Sequence, residues 1–174
     1  MMCVTEGSGS KGQHRPAKPG NGRPSLIVGL GITGLSVADF LARQGEPFWV
    51  TDTRAEPPAV TSLKARHPAA KLALGGLDRR LLGRCGRLIL SPGLSSGDPF
   101  VQEAHAKGLE VIGDIELFAR HATAPVIAIT GSNGKSTVTA LVGAMAQRAG
   151  LQAVAGGNLG PPALDLLAAG RELY

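Results

Sequence analysis

The sequence predicts an α/β fold built around a parallel sheet. The first two observations are two occurrences of one pattern, near residues 25–45 and near residues 126–150. In each, an apolar run enters a glycine-rich turn, and an apolar-periodic helix follows. A third observation is that the strand expected after the first helix ends in an acidic residue. Helices that start directly after such turns are typical of parallel sheets whose turns approach phosphate groups.

The first of these units begins with the apolar run Ser25–Val28, which enters Gly29-Leu30-Gly31-Ile32-Thr33-Gly34, a G-x-G-x-x-G sequence. We predict that the following helix ends at Gly45 and that its inward face consists of Leu35, Ala38, Leu41 and Ala42. The glycines would let the backbone approach a diphosphate at the helix N-terminus. This pattern predicts a Rossmann-like nucleotide-binding unit.

The second strand of this unit, Phe48–Thr51, leads into Asp52. Its acidic residue stands close to the offset of about 20 residues at which a carboxylate contacts a ribose in such folds. Asp52, Thr53 and Arg54 are therefore candidates to contact a ribose or a base. The alternative that Asp52 only caps the turn toward Pro57-Pro58 stays open.

Softer signals complete this part of the chain. A Pro-Gly corner, Ser91-Pro92-Gly93, follows a clear strand and could bring backbone to the ligand crevice or be a plain turn. Asp98 and Gly108 mark the start and stop of a helix, and Asp114 is expected to cap another. The remaining predicted elements are a helix over Val60–Arg66 and strands over Lys71–Leu74, Arg87–Leu90 and Glu110–Ile112.

The second glycine-rich turn, Gly131-Ser132-Asn133-Gly134-Lys135-Ser136-Thr137, follows Val126–Ile129 and predicts a phosphate-binding loop. Lys135 would place a charge on the outer phosphates of a nucleotide, and the Ser136 hydroxyl could hold Mg²⁺. Ile129 stands where the standard P-loop has its first glycine, so we expect a tighter loop. The helix after it should bury Val138, Leu141, Val142 and Met145, although an ordinary glycine-rich turn with an exposed lysine is the alternative.

Beyond this helix, Leu151–Val154 is strand-like, Ala163–Ala169 looks helical and Glu172–Tyr174 begins a further strand. A glycine-rich loop between them contains Asn158, which could contact a phosphate or a sugar, or serve as a turn residue.

Composition argues against other classes of protein. Most of the net charge of +5 lies in residues 1–24, which are rich in Gly, Pro and Ser and lack aromatic residues for base stacking. We predict a disordered basic tail there and no nucleic-acid partner. No apolar run approaches the roughly 18 residues of a membrane helix, and the tail lacks a signal-peptide core. Cytoplasmic location without membrane insertion is the expectation, and Cys3 and Cys85 should be free thiols.

Thr130-Gly131-Ser132-Asn133-Gly134-Lys135-Ser136-Thr137 resembles the ATP loop of the Mur ligase family, which also includes folylpolyglutamate synthetases. Further segments look like the D-glutamate-adding branch of that family. They are the G-x-G-x-x-G turn, Asp52-Thr53-Arg54, Ser91-Pro92-Gly93, Gly113-Asp114-Ile115-Glu116-Leu117-Phe118 and Gly156-Gly157-Asn158-Leu159-Gly160. The resemblance covers residues 25–174.

The resemblance implies an ATP- and Mg²⁺-dependent ligase of peptidoglycan synthesis. ATP would phosphorylate the alanyl carboxylate of UDP-N-acetylmuramoyl-L-alanine, and the amine of D-glutamate would attack the acyl phosphate. Lys135 and Ser136 would be catalytic, and residues 131–137 would bind ATP. The residues carried over as substrate contacts are Ile32, Thr33, Asp52, Thr53, Arg54, Gly93 and, nearer the reacting end, Asn158.

The predicted organisation is a tail (1–24), a Rossmann-like domain for the UDP-linked substrate (25–120), a linker (121–124) and the start of a P-loop ATPase domain (125–174). Because family ligases continue well beyond this point, we expect the 174-residue chain alone not to ligate. Three alternatives stay open on the sequence: a nicotinamide-dependent oxidoreductase domain, a non-catalytic nucleotide-binding module and a folate-type ligase. The oligomeric state is not predicted.

Overall fold

The computed structural model describes residues 3–4, 22–158 and 160–174. Its strands are β1 (Cys3–Val4), β2 (Ser25–Val28), β3 (Phe48–Asp52), β4 (Lys71–Leu74), β5 (Arg87–Leu90), β6 (Glu110–Gly113) and β7 (Ile127–Ala128). Its α-helices are α1 (Ile32–Arg43), α2 (Val60–Arg66), α3 (Pro99–Ala106), α4 (Asp114–Ala119) and α5 (Lys135–Arg148). Short 3-10 turns cover Arg79–Leu81 and Ala163–Leu166.

The chain forms two compact units. Of the described residues, one unit contains 22–117, and the other contains Phe118–Tyr174 together with β1. The division falls inside α4, whereas the sequence places the end of the first domain at residue 120. We call these parts the sheet unit and the loop unit and describe each by itself.

The sheet unit is built on a parallel sheet with the order β4-β3-β2-β5-β6. From the central strand β2 the chain moves outward through β3 to β4, then returns to β5 on the other side of β2. This reversal makes the carboxyl ends of β2 and β5 a topological switch point, where open parallel sheets bind ligands. The strands predicted from the sequence in this unit are confirmed within one residue.

Both faces of this sheet are buried, as parallel sheets require. On one face Leu26, Val28 and Leu88 pack with Leu82 and with Phe100 of α3. Because side chains alternate along a strand, Ile27 and Ile89 point to the opposite face, and both are fully buried. The sheet is therefore sandwiched between two apolar layers.

Helix α1 packs on this sheet through a face that differs slightly from the predicted one. Val37, Ala38, Phe40 and Leu41 are buried, whereas Leu35 is half-buried and Ala42 is exposed. The helix stops as predicted, because Gly45 has a φ of 68° and ends the last turn.

A buried ion pair closes the sheet at the opposite end from the switch point. Arg87 at the start of β5 donates to Ser25 Oγ (2.9 Å) and to Glu46 Oε2 (2.7 Å), and only 3% of its side chain is exposed. These partners satisfy a charge that would otherwise be costly to bury. Nearby, Cys85 is fully buried as a free thiol, which confirms the prediction for that residue, and burial raises its pKa.

The loop unit has a short strand core. β7 pairs antiparallel with β1. Tyr174 exchanges backbone hydrogen bonds with Ile127 (2.8 Å) and Pro125 (3.0 Å), and Leu173 forms a parallel bridge with Ala153. The expected strand over Leu151–Val154 is thus reduced to a single bridge.

The predicted disordered tail does not hold at Cys3–Val4, because the exposed edge of β7 gives their backbone a pairing partner. Residues 5–21 of that prediction lie outside the described residues. The predicted helix over Ala163–Ala169 is shorter, a 3-10 turn over Ala163–Leu166.

Helix α5 packs through a face that shares only Val142 with the four residues predicted to be inward. Val138, Leu141 and Met145 are 43%, 59% and 62% exposed, while Ala146 is buried. The inward positions are Thr139, Val142, Gly143 and Ala146, one residue later in register. Small residues form this contact, since a Cβ on Gly143 would lie at van der Waals distance, 3.5 Å, from the Ala155 Cβ.

None of the helices in the described part of the chain combines the length and the apolar character that a bilayer span needs.

Candidate functional sites in the two units

The first glycine-rich turn connects β2 to α1 at the switch point. At two of its positions the backbone conformation or packing requires a glycine. Gly29 has a φ of 97°, which favours glycine. A Cβ on Gly34 would lie 2.0 Å from the Gly29 carbonyl oxygen, so no side chain fits where the helix meets the strand. Gly31, in contrast, meets no atom within 4 Å and opens toward solvent.

The N-terminus of α1 offers unpaired donors to an anion. Its N-cap is Gly31, which provides no side-chain hydrogen bond, and its first turn has no acidic residue. The first N–H groups of a helix have no intrahelical acceptor and carry a partial positive charge. Beside them, the apolar side chain of Ile32 is 76% exposed. This end of the helix can therefore accept a phosphate group with an apolar ring close by.

Asp52, at the carboxyl end of β3, is held by protein donors. Its carboxylate accepts hydrogen bonds from the amides of Leu30 (2.6 Å) and Arg54 (2.8 Å) and from the Arg54 guanidinium at Nε (2.9 Å) and Nη2 (2.8 Å). Asp52 is 2% exposed. The bond to the Arg54 amide supports the turn role that the sequence left open, and both carboxylate oxygens already have partners.

The Arg54 side-chain bond lowers the pKa of Asp52 to about 2 from its ordinary value of 3.8, although burial opposes the shift. Arg54 itself is half-exposed, and its ion pair with Asp52 does not use Nη1. Thr53 is also exposed. Thr53 and the outer edge of Arg54 can thus face a ligand while Asp52 fixes the geometry.

We predict that this pair makes folding stability depend on pH. A carboxylate with a lowered pKa stabilises the folded state above the unfolded pKa of 3.8, and this contribution is lost as the pH falls toward about 2. After allowance for the half-exposed partner, it should be about 1–2 kcal/mol at pH 6. Urea unfolding of the chain and of Asp52→Asn between pH 6 and pH 2 measures it. A difference between the two proteins that does not shrink with falling pH would contradict the prediction.

The Ser91-Pro92-Gly93 corner follows β5 at the same switch point. Gly93 is exposed, and no atom lies within 4 Å of its missing Cβ, so its backbone can be approached. The Ser91 hydroxyl donates to the Gly29 carbonyl oxygen (3.0 Å) and joins the two turns. The sequence did not single out Ser91 as a site residue. The available signal was its position: Ser91 directly follows β5, which pairs with β2, the strand that enters the G-x-G-x-x-G turn.

The second glycine-rich turn has the geometry of an exposed anion cradle. Gly131 and Gly134 have φ values of 154° and 74°, and Gly134 is the N-cap of α5. Ser132, Asn133, Ser136 and Thr137 are exposed. No side chain caps this 14-residue helix, and its first turn has no acidic residue. The uncapped helix N-terminus beside these glycines is an arrangement that can accept an anion.

Lys135 folds over this loop. Its Nζ donates to the Gly131 carbonyl oxygen and to that of Ser132 (3.3 Å). Its ammonium group therefore lies above the loop that would surround a phosphate, and carbonyl oxygens are partners that a phosphate group can replace. The exposed Ser136 hydroxyl could supply one protein ligand to Mg²⁺, an ion that usually keeps several waters and shares substrate phosphates. Within the described residues, no cluster of three or more His, Cys, Asp or Glu side chains could hold a metal ion.

Asn158 lies exposed in a separate turn of the loop unit. Gly157 donates its amide to the Pro161 carbonyl oxygen (2.8 Å), and Gly157 and Gly160 both have positive φ values. Leu159 of the same predicted motif lies outside the described residues. Asn158 is thus a turn residue whose amide group faces solvent, which is compatible with both of its predicted roles.

The loop unit also contains a small open cavity of about 60 Å³ between α5 and the extended segments. Its lining is mostly apolar, including Ile127, Val142, Val154 and Leu173. This cavity lies under the helix rather than at the glycine loop. We attribute it to the loose packing of α5 and assign it no role in binding.

The predicted site residues thus fall into two groups. One group lies at the carboxyl edge of the parallel sheet, in or next to the turns that follow β2, β3 and β5, and consists of Ile32, Thr33, Asp52, Thr53, Arg54 and Gly93. The other group, the 131–137 loop and Asn158, belongs to the loop unit.

A parallel sheet with a glycine turn and an uncapped helix at its switch point defines the class of Rossmann-like nucleotide-binding domains. Residues 23–113 match the family model described as Mur ligase MurD-like, N-terminal domain. The chain belongs to this family, as the motifs in its sequence predicted.

Curated relatives agree with this assignment. The UDP-N-acetylmuramoylalanine–D-glutamate ligase of Pseudomonas syringae pv. syringae is 54% identical over 149 residues, which are 86% of this chain and 33% of that protein. The ligase of the same name from Nitrosococcus oceani is 51% identical over 154 residues, or 88% of this chain and 34% of that protein. The chain thus spans about a third of the length of these relatives.

Among solved structures, a pseudomurein peptide ligase type C from Methanothermus fervidus matches with a TM-score of 0.54 and 23% identity. The match covers 87% of this chain and 32% of that one. It supports the fold.

Proposed function

We propose that this chain is the substrate- and ATP-binding part of a cytoplasmic ligase that adds D-glutamate to UDP-N-acetylmuramoyl-L-alanine in peptidoglycan synthesis. The observation that carries the proposal is the identity of 51–54% to ligases of that name over 149–154 residues, which are 86–88% of this chain. The two glycine turns described above supply one anion site for each nucleotide.

In this proposal the UDP part of the substrate lies at the carboxyl edge of the sheet unit. The N-terminal amides of α1, with Thr33, hold the diphosphate, and the exposed Ile32 side chain packs against the uracil ring. Thr53 and the half-exposed Arg54 contact the uridine, with Asp52 keeping Arg54 in place. Gly93 brings its backbone to the substrate from the neighbouring turn.

The loop unit would bind ATP through residues 131–137, and the fit rests on the two positive-φ glycines and the uncapped helix. Bound ATP supplies the phosphoryl group that activates the alanyl carboxylate as an acyl phosphate. Lys135 would neutralise charge on the outer phosphates, and Ser136 would hold a Mg²⁺ that adds further positive charge there. Asn158 would contact the substrate nearer the reacting carboxylate.

The nicotinamide alternative has less support from the geometry. A dinucleotide site of that kind uses the acidic residue after the second strand to accept the ribose hydroxyls. Here both oxygens of Asp52 already accept hydrogen bonds from Leu30 and Arg54. A ribose contact through this carboxylate would have to displace one of them.

Calorimetric titration of the 174-residue chain with UDP-N-acetylmuramoyl-L-alanine, NADH and folate tests the proposal. We expect binding of the UDP-linked compound and no measurable heat with the other two. Preferential binding of NADH would favour the oxidoreductase reading, and preferential binding of folate would favour the folate-type ligase. Either result would remove the proposed function.

A further inference from the structure

The peptide group that joins Gly29 to Leu30 in the first glycine turn is hydrogen-bonded to side chains at the ends of both neighbouring strands. Its carbonyl oxygen accepts the hydroxyl of Ser91, which follows β5 (3.0 Å). Its N–H donates to Asp52 Oδ2 at the end of β3 (2.6 Å). Because β3 and β5 flank β2 on opposite sides, the two bonds fix the orientation of this peptide plane.

The same contacts determine which amides of the turn are left for a ligand. The Gly29 amide donates to the Thr51 carbonyl oxygen (2.8 Å), and the Leu30 amide is used by Asp52. The next N–H groups, from Gly31 to Gly34, are those that the start of α1 leaves without an intrahelical acceptor. Their direction follows from the peptide plane immediately before them.

Ser91 also matches the turn in size. Gly29 has a φ of 97°, and a Cβ built on it would lie 2.9 Å from the Ser91 Cβ and 3.1 Å from its Oγ. The serine side chain therefore fills the space that the glycine leaves. The missing side chain at residue 29 and the small hydroxyl at residue 91 form one complementary contact.

From this contact we infer that Ser91 is a positioning residue for the diphosphate of the nucleotide substrate. Its hydroxyl holds the Gly29–Leu30 peptide so that the amides from Gly31 to Gly34 converge on the anion, and it acts through the backbone rather than on the nucleoside. The inference rests on the proposed function, because it assumes that a nucleoside diphosphate binds at this turn.

Ser91→Ala removes the hydroxyl and keeps the Cβ that packs on Gly29. Because one neutral hydrogen bond contributes about 1 kcal/mol, we expect about fivefold weaker binding of UDP. Binding of uridine, followed by NMR shifts, should not change, since uridine lacks the diphosphate. Ser91→Thr keeps the hydroxyl and should recover most of the UDP affinity. Ser95→Ala is the matched control, because that hydroxyl bonds only within its own turn, to the Gly97 amide (3.1 Å).

An equal loss of affinity for uridine and UDP, or no loss for either, would overturn the inference. Hydrogen exchange at the Leu30 amide gives a readout without ligand: it should be faster in Ser91→Ala than in the unaltered chain and in Ser95→Ala. If the unaltered chain does not bind UDP, the proposed function fails and the diphosphate role fails with it. The Leu30 exchange then still shows whether Ser91 holds the turn, and unchanged exchange would remove that role as well.

Discussion

Replacing Lys135 by alanine should weaken binding of MgATP to this chain by about 10–100-fold, because hydrogen bonds to charged groups contribute about 1.5–3 kcal/mol. The Lys135 ammonium group is held over the loop by hydrogen bonds that it donates to the carbonyl oxygens of Gly131 and Ser132. In the proposed complex it exchanges these neutral partners for phosphate oxygens, which bind a cation more strongly. Isothermal titration calorimetry with MgATP measures the loss.

Lys107→Ala is the matched control for this experiment. Lys107 is an exposed lysine of the sheet unit, 3.6 Å from Glu103, and has no place in the proposed ATP site. Its removal should leave MgATP binding unchanged, and circular dichroism should show the same helix content in both variants. Undiminished affinity in Lys135→Ala would mean that the loop is only a strand-to-helix turn.

Gly34→Ala should destabilise the sheet unit by about 3 kcal/mol or more, at or above the upper end of ordinary overpacking costs. The added Cβ would lie 2.0 Å from the Gly29 carbonyl oxygen and 3.1 Å from the Gly29 carbonyl carbon. Backbone atoms cannot rotate away as a flexible side chain can, so α1 must move off β2. Urea unfolding followed by Trp49 fluorescence measures the loss, since this single tryptophan lies on β3 of the same unit.

Gly31→Ala tests whether the effect comes from the contact or from losing any glycine of the motif. Gly31 meets no atom within 4 Å and has a negative φ of −98°, so alanine is accommodated. Its cost should stay below about 1 kcal/mol, the usual size of an N-cap change. Similar unfolding midpoints for the two variants would contradict the packing argument.

The sheet unit could be predicted from the sequence because its local signals agree with one another. Apolar runs of strand length stop at glycine, proline or aspartate, and each stop marks a real boundary. At α3, for example, Asp98 accepts the Phe100 amide (2.8 Å), Pro99 begins the helix and Gly108 follows its end with a φ of 70°. These signals depend on neighbouring residues only, so they survive without knowledge of the tertiary structure.

The loop unit was harder to predict because its periodicity is ambiguous. Helix α5 has apolar or small residues on more than one face, so the pattern alone could not select the side that packs. Sequence reasoning chose the large residues Val138, Leu141 and Met145, whereas the structure packs Gly143 and Ala146, which permit a closer approach. The extended segments after α5 are too short to show a recognisable alternation of apolar and polar residues.

The sequence indicated which residues belong to the candidate site, but not which hydrogen-bond partners they have in the fold. The offset from the glycine turn pointed to Asp52, yet nothing local indicates that its carboxylate binds the Leu30 amide, 22 residues away in sequence. The Ser91–Gly29 bond spans 62 residues. Such contacts depend on which strands become neighbours, and this is set by the order of the whole sheet.

Amide chemical-shift mapping with UDP-N-acetylmuramoyl-L-alanine locates the bound ligand on the sheet unit. We expect saturating ligand to shift the amides from Gly31 to Gly34 and that of Gly93, as well as the Arg54 Nε–H. We expect no comparable change at the amino end of the same sheet around Ser25 and Arg87. Shifts that cluster at that amino end, or no saturable shifts at the glycine turn, would contradict the claim that the switch point of this sheet binds the nucleotide-linked substrate.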